Sequence, residues 1–283
     1  MLGYLSTISA FWSTRERNTH KFKALFWAIK YYGWISVLRR RFADSNLSYV
    51  LRLHPYLLFM CRLKAYVLKQ VTPEFTLQRL LGHYQVITQH FGSDGVRLIH
   101  GNGLDFDEFY LGEHKVDVLL QYVHLMRYEG QLTVALRLDG EVFYYAHVHF
   151  FDGAMWIGGF QGRPGQLELS RYFTRLSHGV RPQNFMFLML TLLAKRLGLA
   201  KIYAVSGEHH YYQKENKTLD KVYFDYDAFW QELGGCRTSE GIWYSLPPVY
   251  PRKNYADIPS KKRSQYLQRY QLFDHLERAQ IAV

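Results

Sequence analysis

Cysteine is nearly missing: Cys61 and Cys236 are the only two in 283 residues. Two thiols cannot make the disulfide framework of a small secreted domain, and no C-x-x-C pair offers redox chemistry or zinc binding. Reduced, cytosolic thiols are the expectation. Long apolar runs are missing too. The longest, Phe185 to Ala194, falls well short of the roughly 20 residues that span a bilayer, so no transmembrane helix is expected. Met1 to Trp12 has no basic region ahead of its short apolar run, which argues against a secretory signal. These absences predict a cytoplasmic protein, with a peripheral place at the inner membrane left open. Negative charge is the other scarcity: 24 Asp and Glu face 35 Lys and Arg, for a net charge of +11 at pH 7.

What is present argues for a packed interior. Hydrophobic residues make up 48% of the chain and aromatic residues 17%, well above a disordered composition. The cations are unevenly placed. Between Arg15 and Arg79 they are opposed only by Glu16, Asp44 and Glu74; the centre is slightly acidic; the last stretch is basic again. Basic ends predict an anionic partner: a membrane surface, a nucleic acid or a phosphorylated donor.

Periodicity divides the chain into a helical, basic N-terminal region, 1–92, and an α+β region, 93–283, that ends in a basic helix. Phe22, Leu25, Phe26, Ile29 and Gly33 follow helical spacing within Asn18 to Arg41, the apolar side of an amphipathic helix that packs on its own domain or, with Trp27, Tyr31 and Trp34 beside its basic residues, lies on a membrane surface. Tyr49 to Val71 reads as one or two helices interrupted near Pro55. Thr72 and Pro73 supply an N-cap and a first turn for a helix reaching toward His90, and Gly92-Ser-Asp-Gly95 marks the change of pattern. Val116 to Val123 and Leu132 to Leu138 are strand-like. Asp139-Gly140 is a strong hairpin turn, and Glu141 to Phe150 returns from it. Asp152-Gly153 turns again. A helix over Gln166 to His178, a break at Gly179 to Pro182, an apolar helix over Phe185 to Leu197 and a strand over Lys201 to Ser206 follow. A helix from Asp225 stops at Gly234-Gly235. The last helix opens near Ser260 as N-cap and packs through Tyr266, Leu267, Tyr270, Phe273 and Leu276. The pattern is an antiparallel meander joined to a parallel crossover.

The crossover begins at Trp156-Ile-Gly-Gly-Phe-Gln-Gly-Arg-Pro-Gly165. Glycines let the backbone bend sharply and let a ligand approach, and Pro164 favours a turn. A loop at a helix N-terminus presents free N–H groups to anions. Gln161, Gly162, Arg163 and Gly165 are therefore the candidate holders of a phosphorylated donor such as an acyl-CoA. Neither G-x-G-x-x-G nor a Walker loop is present, and no Gly-x-Ser-x-Gly elbow exists. Glu129, just before a strand, and Glu208 and His209, at the end of another, are candidate general bases. His147, His149, His209 and His210, with Glu208 or Asp152, have a generic spacing that favours ordinary β-face histidines over a metal site, so no metal is expected.

Several pieces together resemble the VirK/YbjX-type family of Gram-negative bacterial proteins: Glu129-Gly-Gln-Leu132, Ile157-Gly-Gly-Phe-Gln-Gly162, His178-Gly-Val-Arg-Pro182, Gly198 with Ala204-Val-Ser206, Tyr226-Asp-Ala-Phe-Trp230 and Ile258-Pro-Ser-Lys-Lys-Arg263. The resemblance covers most of the chain from about Pro55 onward. It implies a part in envelope stress, virulence and tolerance of cationic antimicrobial peptides, and it carries over no catalytic residue. The crossover also resembles the acyl-CoA-binding core of the GCN5-related N-acetyltransferases, where a strand leads to a glycine loop whose amides hold the CoA pyrophosphate; Gln161 to Gly165 is in the matching place. Two readings stand. One is an acyltransferase-like protein maintaining the envelope. The other is a non-catalytic regulator binding RNA or a partner protein through Arg39-Arg-Arg41 and Lys261-Lys-Arg263.

Overall fold

The computed structural model describes residues 26–45, 47–62, 66–212 and 224–279. Phe22 and Leu25 lie outside them. Helix α1 is Tyr32–Asp44 and α2 is Ser48–Leu53. Helix α1 packs through Ile35, Leu38 and Phe42, which are buried, whereas Phe26 and Ile29, ahead of it, are exposed. The apolar side expected from spacing is thus not the one that packs on the domain. Spacing alone offered two apolar stripes, and packing chose the one containing Ile35.

Pro55–Arg62 is a 3-10 helix, not a regular one. Helix α3 is Pro73–His100; Thr72 caps it, its Oγ1 accepting from the Phe75 amide at 3.1 Å. Thr72→Ala is expected to cost about 1 kcal/mol in urea denaturation. Gly92 does not end this helix. It takes φ 63 and ψ −178, and helical structure resumes to His100. Val96, Ile99 and His100 lie in the core on the far side of the kink, and their burial restores the helix that glycine interrupts.

Eight strands form one sheet in the order β1-β2-β3-β4-β5-β6-β8-β7. They are β1 Leu104–Leu111, β2 His114–Gln121, β3 Leu132–Leu138, β4 Glu141–Phe151, β5 Ala154–Gly162, β6 Lys201–Val205, β7 Cys236–Arg237 and β8 Trp243–Leu246. All neighbours are antiparallel except β5 and β6. Strand β1 escapes sequence reading because Asp105, Asp107 and Glu108 interrupt its alternation; as an edge strand it still buries Phe106, Phe109 and Leu111. Asp139 and Gly140, and Asp152 and Gly153, all have positive φ, as type I′ turns require.

Between β5 and β6 run α4, Leu167–Leu176, and α5, Pro182–Arg196. Gly179 separates them with φ 80, and its N–H closes the end of α4 on the Thr174 carbonyl at 2.8 Å. Helix α5 is buried almost all round, which explains its apolar composition. Helix α6 is Tyr226–Glu232, capped by Asp225. Helix α7 is Arg263–Ala279, preceded by a 3-10 turn over Ser260–Lys262. Ser260 therefore lies a turn too early to cap it. Phe273 and Leu276 are buried, but Leu267 is exposed.

One irregularity positions the site. His147 faces Gly159 and Val148 faces Ile157, so Gly158 is an extra residue in β5. Parallel pairing with β6 covers Ala154 to Ile157 and stops there. Beyond the bulge, β5 continues without its parallel neighbour.

Candidate active site

Glu129 is brought onto this bulge by a tight path. After β2 the chain makes a 3-10 turn at His124–Met126, and the Glu129 amide donates to the Met126 carbonyl at 2.9 Å. Arg127 braces the turn, donating to the His124 carbonyl and the Tyr128 hydroxyl. The Gln131 amide then joins the Val148 carbonyl at 3.0 Å. Glu129 lies directly against β5. A Cβ on Gly158 would overlap the Glu129 carbonyl oxygen, and one on Gly159 would overlap its carboxylate. The paired glycines are there because nothing larger fits beneath that side chain.

The carboxylate is buried, at 2% exposure. Its Oε2 lies 3.7 Å from His210 Nε2, and His210 is 1% exposed. The Tyr212 amide donates to His210 Nδ1 at 3.3 Å, so the neutral ring carries its proton on Nε2, facing Glu129. That separation is wider than a hydrogen bond, and among the described residues Glu129 Oε1 and His210 Nε2 have no hydrogen-bond partner. Buried polar atoms are nearly always partnered, so the pair calls for an explanation.

His147, also buried, completes the group. Gln161 Nε2 lies 3.2 Å from its Nε2 and Thr133 Oγ1 lies 3.0 Å from its Nδ1. With Gln161 donating, the His147 proton sits on Nδ1 and is given to Thr133. Burial lowers the His147 pKa, the Glu129 carboxylate opposes that shift, and His210 adds to it. Burial and the same carboxylate push the Tyr212 phenol up to about 12 and raise that of Tyr226 further. The segment from Tyr66 to Lys69 closes the group: the Val67 amide donates to the Tyr128 carbonyl, Leu68 bridges to His210, and the Lys69 amide donates to the His209 carbonyl. Val67 holds φ 61, strained for a β-branched residue.

Sequence reasoning named Glu129, Glu208 and His209 together. The structure separates them. Glu208 is exposed and paired with Arg237 at 3.3 Å, and His209 Nδ1 meets the Ser206 hydroxyl at 3.0 Å. The imidazole beside Glu129 belongs to His210, one residue on. In the glycine loop, Gln161 turns its side chain to His147, while Gly162, Arg163 and Gly165 are exposed. The Phe160 amide is taken by the Tyr226 hydroxyl at 3.1 Å, the Arg163 amide by the Phe143 carbonyl at 2.9 Å and the Gln166 amide by the Arg163 carbonyl at 3.1 Å. The first turn of α4 has no side-chain cap, and among the described residues the amides of Leu167, Glu168 and Leu169 have no backbone acceptor. His149 is buried between Trp156 and Tyr66. Among the described residues no three His, Cys, Asp or Glu side chains gather as metal ligands, and no helix is long and apolar enough to cross a membrane.

His147, His210 and Tyr226 were the residues missed as partners of Glu129. The signal available in the sequence was the pair Gly158-Gly159 in mid-strand, which marks a bulge and a close approach without saying what approaches.

Comparison with known proteins agrees with the motifs. The chain is 28% identical over 233 residues to a protein of Escherichia coli (strain K12) described as uncharacterized protein YbjX, covering 76% of this chain and 68% of that one. Two uncharacterized proteins of Haemophilus influenzae are 35% identical over 114 residues and 30% identical over 159 residues. Those matches cover 40% and 54% of this chain, and 37% and 53% of the Haemophilus proteins. No solved structure matches the chain significantly. The family model described as protein of unknown function (DUF535) matches residues 13–282, and the chain belongs to that family.

Proposed function

We propose that the protein is a general acid–base transferase that moves an acyl group from a phosphorylated donor onto an amine or hydroxyl. The observation that carries this reading is the buried Glu129 carboxylate, set on the β5 bulge and facing the Nε2–H of His210, with one oxygen unpartnered among the described residues. A carboxylate kept from water beside an imidazole suits proton abstraction from an acceptor. Glu129 takes the proton as the acceptor attacks, and His210 steadies the carboxylate and then its protonated form. Tyr212, whose phenol stays protonated, steadies the Glu129 carboxylate, and the Tyr226 hydroxyl, donating to the Phe160 carbonyl at 3.4 Å, holds β5 in place beside it.

The donor's phosphates would be held by the α4 first-turn amides of Leu167, Glu168 and Leu169 with the exposed Arg163 and the Gly162–Gly165 loop, because the Phe160, Arg163 and Gln166 amides are already bonded within the fold. A bound acyl-CoA would supply an activated thioester there. The bond to the acceptor forms as the C–S bond breaks, and the proton held by Glu129 passes to the departing thiolate, which leaves the acyl group on the acceptor and a free thiol on the donor. Work on the cell envelope, with the consequences for virulence and cationic-peptide tolerance that the VirK/YbjX-type resemblance implies, is the setting we assign to it.

Release of free thiol from acetyl- and longer acyl-CoAs, measured against a panel of amine and hydroxyl acceptors, tests the reading. Glu129→Gln is expected to lower turnover by roughly 10²- to 10⁴-fold with donor binding retained. If calorimetry detects no donor at all, or if Glu129→Gln leaves turnover intact, the proposal fails.

A further inference from the structure

The fold contains a second concave site that shares no residue with the Glu129 group. It is a cavity of about 640 Å³ between the N-terminus of α5, the segment Tyr250 to Lys253 and α7. This is within the few-hundred to ~1,000 Å³ range of small-ligand sites. Its lining is basic: Arg181, Arg252, Lys253, Lys262 and Arg269 face a single lining carboxylate, Glu232.

Those five cations are not equivalent. Arg181 is paired with Glu232 and also donates from Nε to Asn184 Oδ1 at 3.0 Å. Arg252 is held by Asp274 at 2.6 Å and Glu277 at 2.9 Å. These pairs shape the walls. Lys253, Lys262 and Arg269 have no carboxylate within ion-pair distance among the described residues. Arg269 donates one nitrogen to the His178 carbonyl at 3.1 Å and lies 4.2 Å over the Tyr266 ring. The guanidinium is thus oriented by its neighbours. The N-terminus of α5 is already occupied: Pro182 has no N–H to offer, and the Glu232 carboxylate accepts from Arg181 and from Asn184 Nδ2. Three cations without a carboxylate partner among the described residues converge on one cavity, and each favours an anionic guest.

We propose that this cavity binds a small phosphate-bearing anion, with the phosphate oxygens met by Lys253, Lys262 and Arg269. Phosphate fits better than a single carboxylate because its oxygens can engage three separated donors at once. Tyr266 and Tyr270 also line the cavity and give the remainder of an organic phosphate an aromatic wall. The shared chemistry, a phosphate ester or diphosphate, occurs both in soluble nucleotides and in lipid headgroups. The site also accounts for one of the basic clusters that stands out in the sequence, since Lys262 belongs to Lys261-Lys-Arg263.

Calorimetry of the full chain with inorganic pyrophosphate and with ADP, at low and at physiological salt, is the test. Vesicles of phosphatidylcholine with and without phosphatidylglycerol form a separate arm. Saturable binding of pyrophosphate or ADP that weakens with salt, and weakens at least tenfold in the double variant Lys253→Gln/Lys262→Gln, is the expected result. Both lysines are exposed, so the variant should fold, and an unchanged melting temperature without ligand checks that. In the parent chain saturating pyrophosphate should raise the melting temperature, and in the variant it should not. Equal affinity in parent and variant, no binding of either soluble probe, or binding only to anionic vesicles would overturn the proposal.

Discussion

Acidification from pH 7.5 to about 4.5 is expected to unfold the protein cooperatively. The cause is a set of histidines that the fold buries in neutral form. Burial lowers the His83 pKa to about 3; burial, with His54 and His83 nearby, lowers that of His100 to about 2. His54, His147 and His149 shift the same way. His100 shows why protonation has no place to go. Its ring is stacked on Tyr122 at 4.8 Å and Tyr84 at 5.7 Å, and its Nε2 meets the Tyr84 hydroxyl at 3.2 Å.

The sign follows from linkage. These folded-state values lie below the ordinary histidine value of about 6.5, so the unfolded chain takes up protons first. The stability is fully present above about pH 6.5 and is lost as pH falls toward the folded-state values. His83 and His100 would each forfeit about 2 kcal/mol at pH 5 and about 3 kcal/mol at pH 4. Against a total stability on the order of 5–15 kcal/mol, those two groups alone remove much of the margin. Urea midpoints measured between pH 7.5 and 4.5 check this, and a midpoint that stays flat from pH 7 to pH 5 would refute it.

The second large effect concerns one atom type placed at two glycines. Gly158→Ala should cost about 3 kcal/mol or more, enough to leave a marginal fold. The added Cβ would overlap the Glu129 carbonyl oxygen, and it would lie 2.8 Å from Val67 Cγ1. Neither neighbour can yield cheaply: one is backbone within the turn that carries Glu129, and the other sits on a strained residue. Gly33→Ala is the contrasting case. Gly33 lies in α1 with open space around its Cβ position, so alanine should stabilise by about 0.5–1 kcal/mol. Denaturant unfolding of the two variants should therefore move in opposite directions. Similar small shifts in both would mean that the Glu129 turn does not press on β5 as the geometry requires.

Much of the architecture was open to reading along the chain because its signals are local. Asp139-Gly140 and Asp152-Gly153 demanded tight turns whatever lay elsewhere. Thr72-Pro73 demanded a helix start, and Gly179 with Pro182 demanded a break between two helices. The alternation in Glu141 to Phe151 and the apolar run at Phe185 predicted a strand and a buried helix, and both are there. The misreadings have a common source. At Gly92, at Phe26 and Ile29 and at Leu267, local pattern and tertiary burial pulled apart, and burial prevailed because a core contact outweighs a few tenths of a kcal/mol of backbone preference.

By itself the amino-acid order determined the α+β class, the meander running into a parallel crossover, and the excess of positive charge at both ends. Only the tertiary structure decided that Glu129 meets His210 instead of His209, and that Lys253, Lys262 and Arg269 share one cavity. Turn type and helix phase depend on residues a few places apart, so a string of letters displays them. Which side chains converge depends on strand register and on an extra residue at Gly158, and a shift of one position there turns every following side chain to the opposite face.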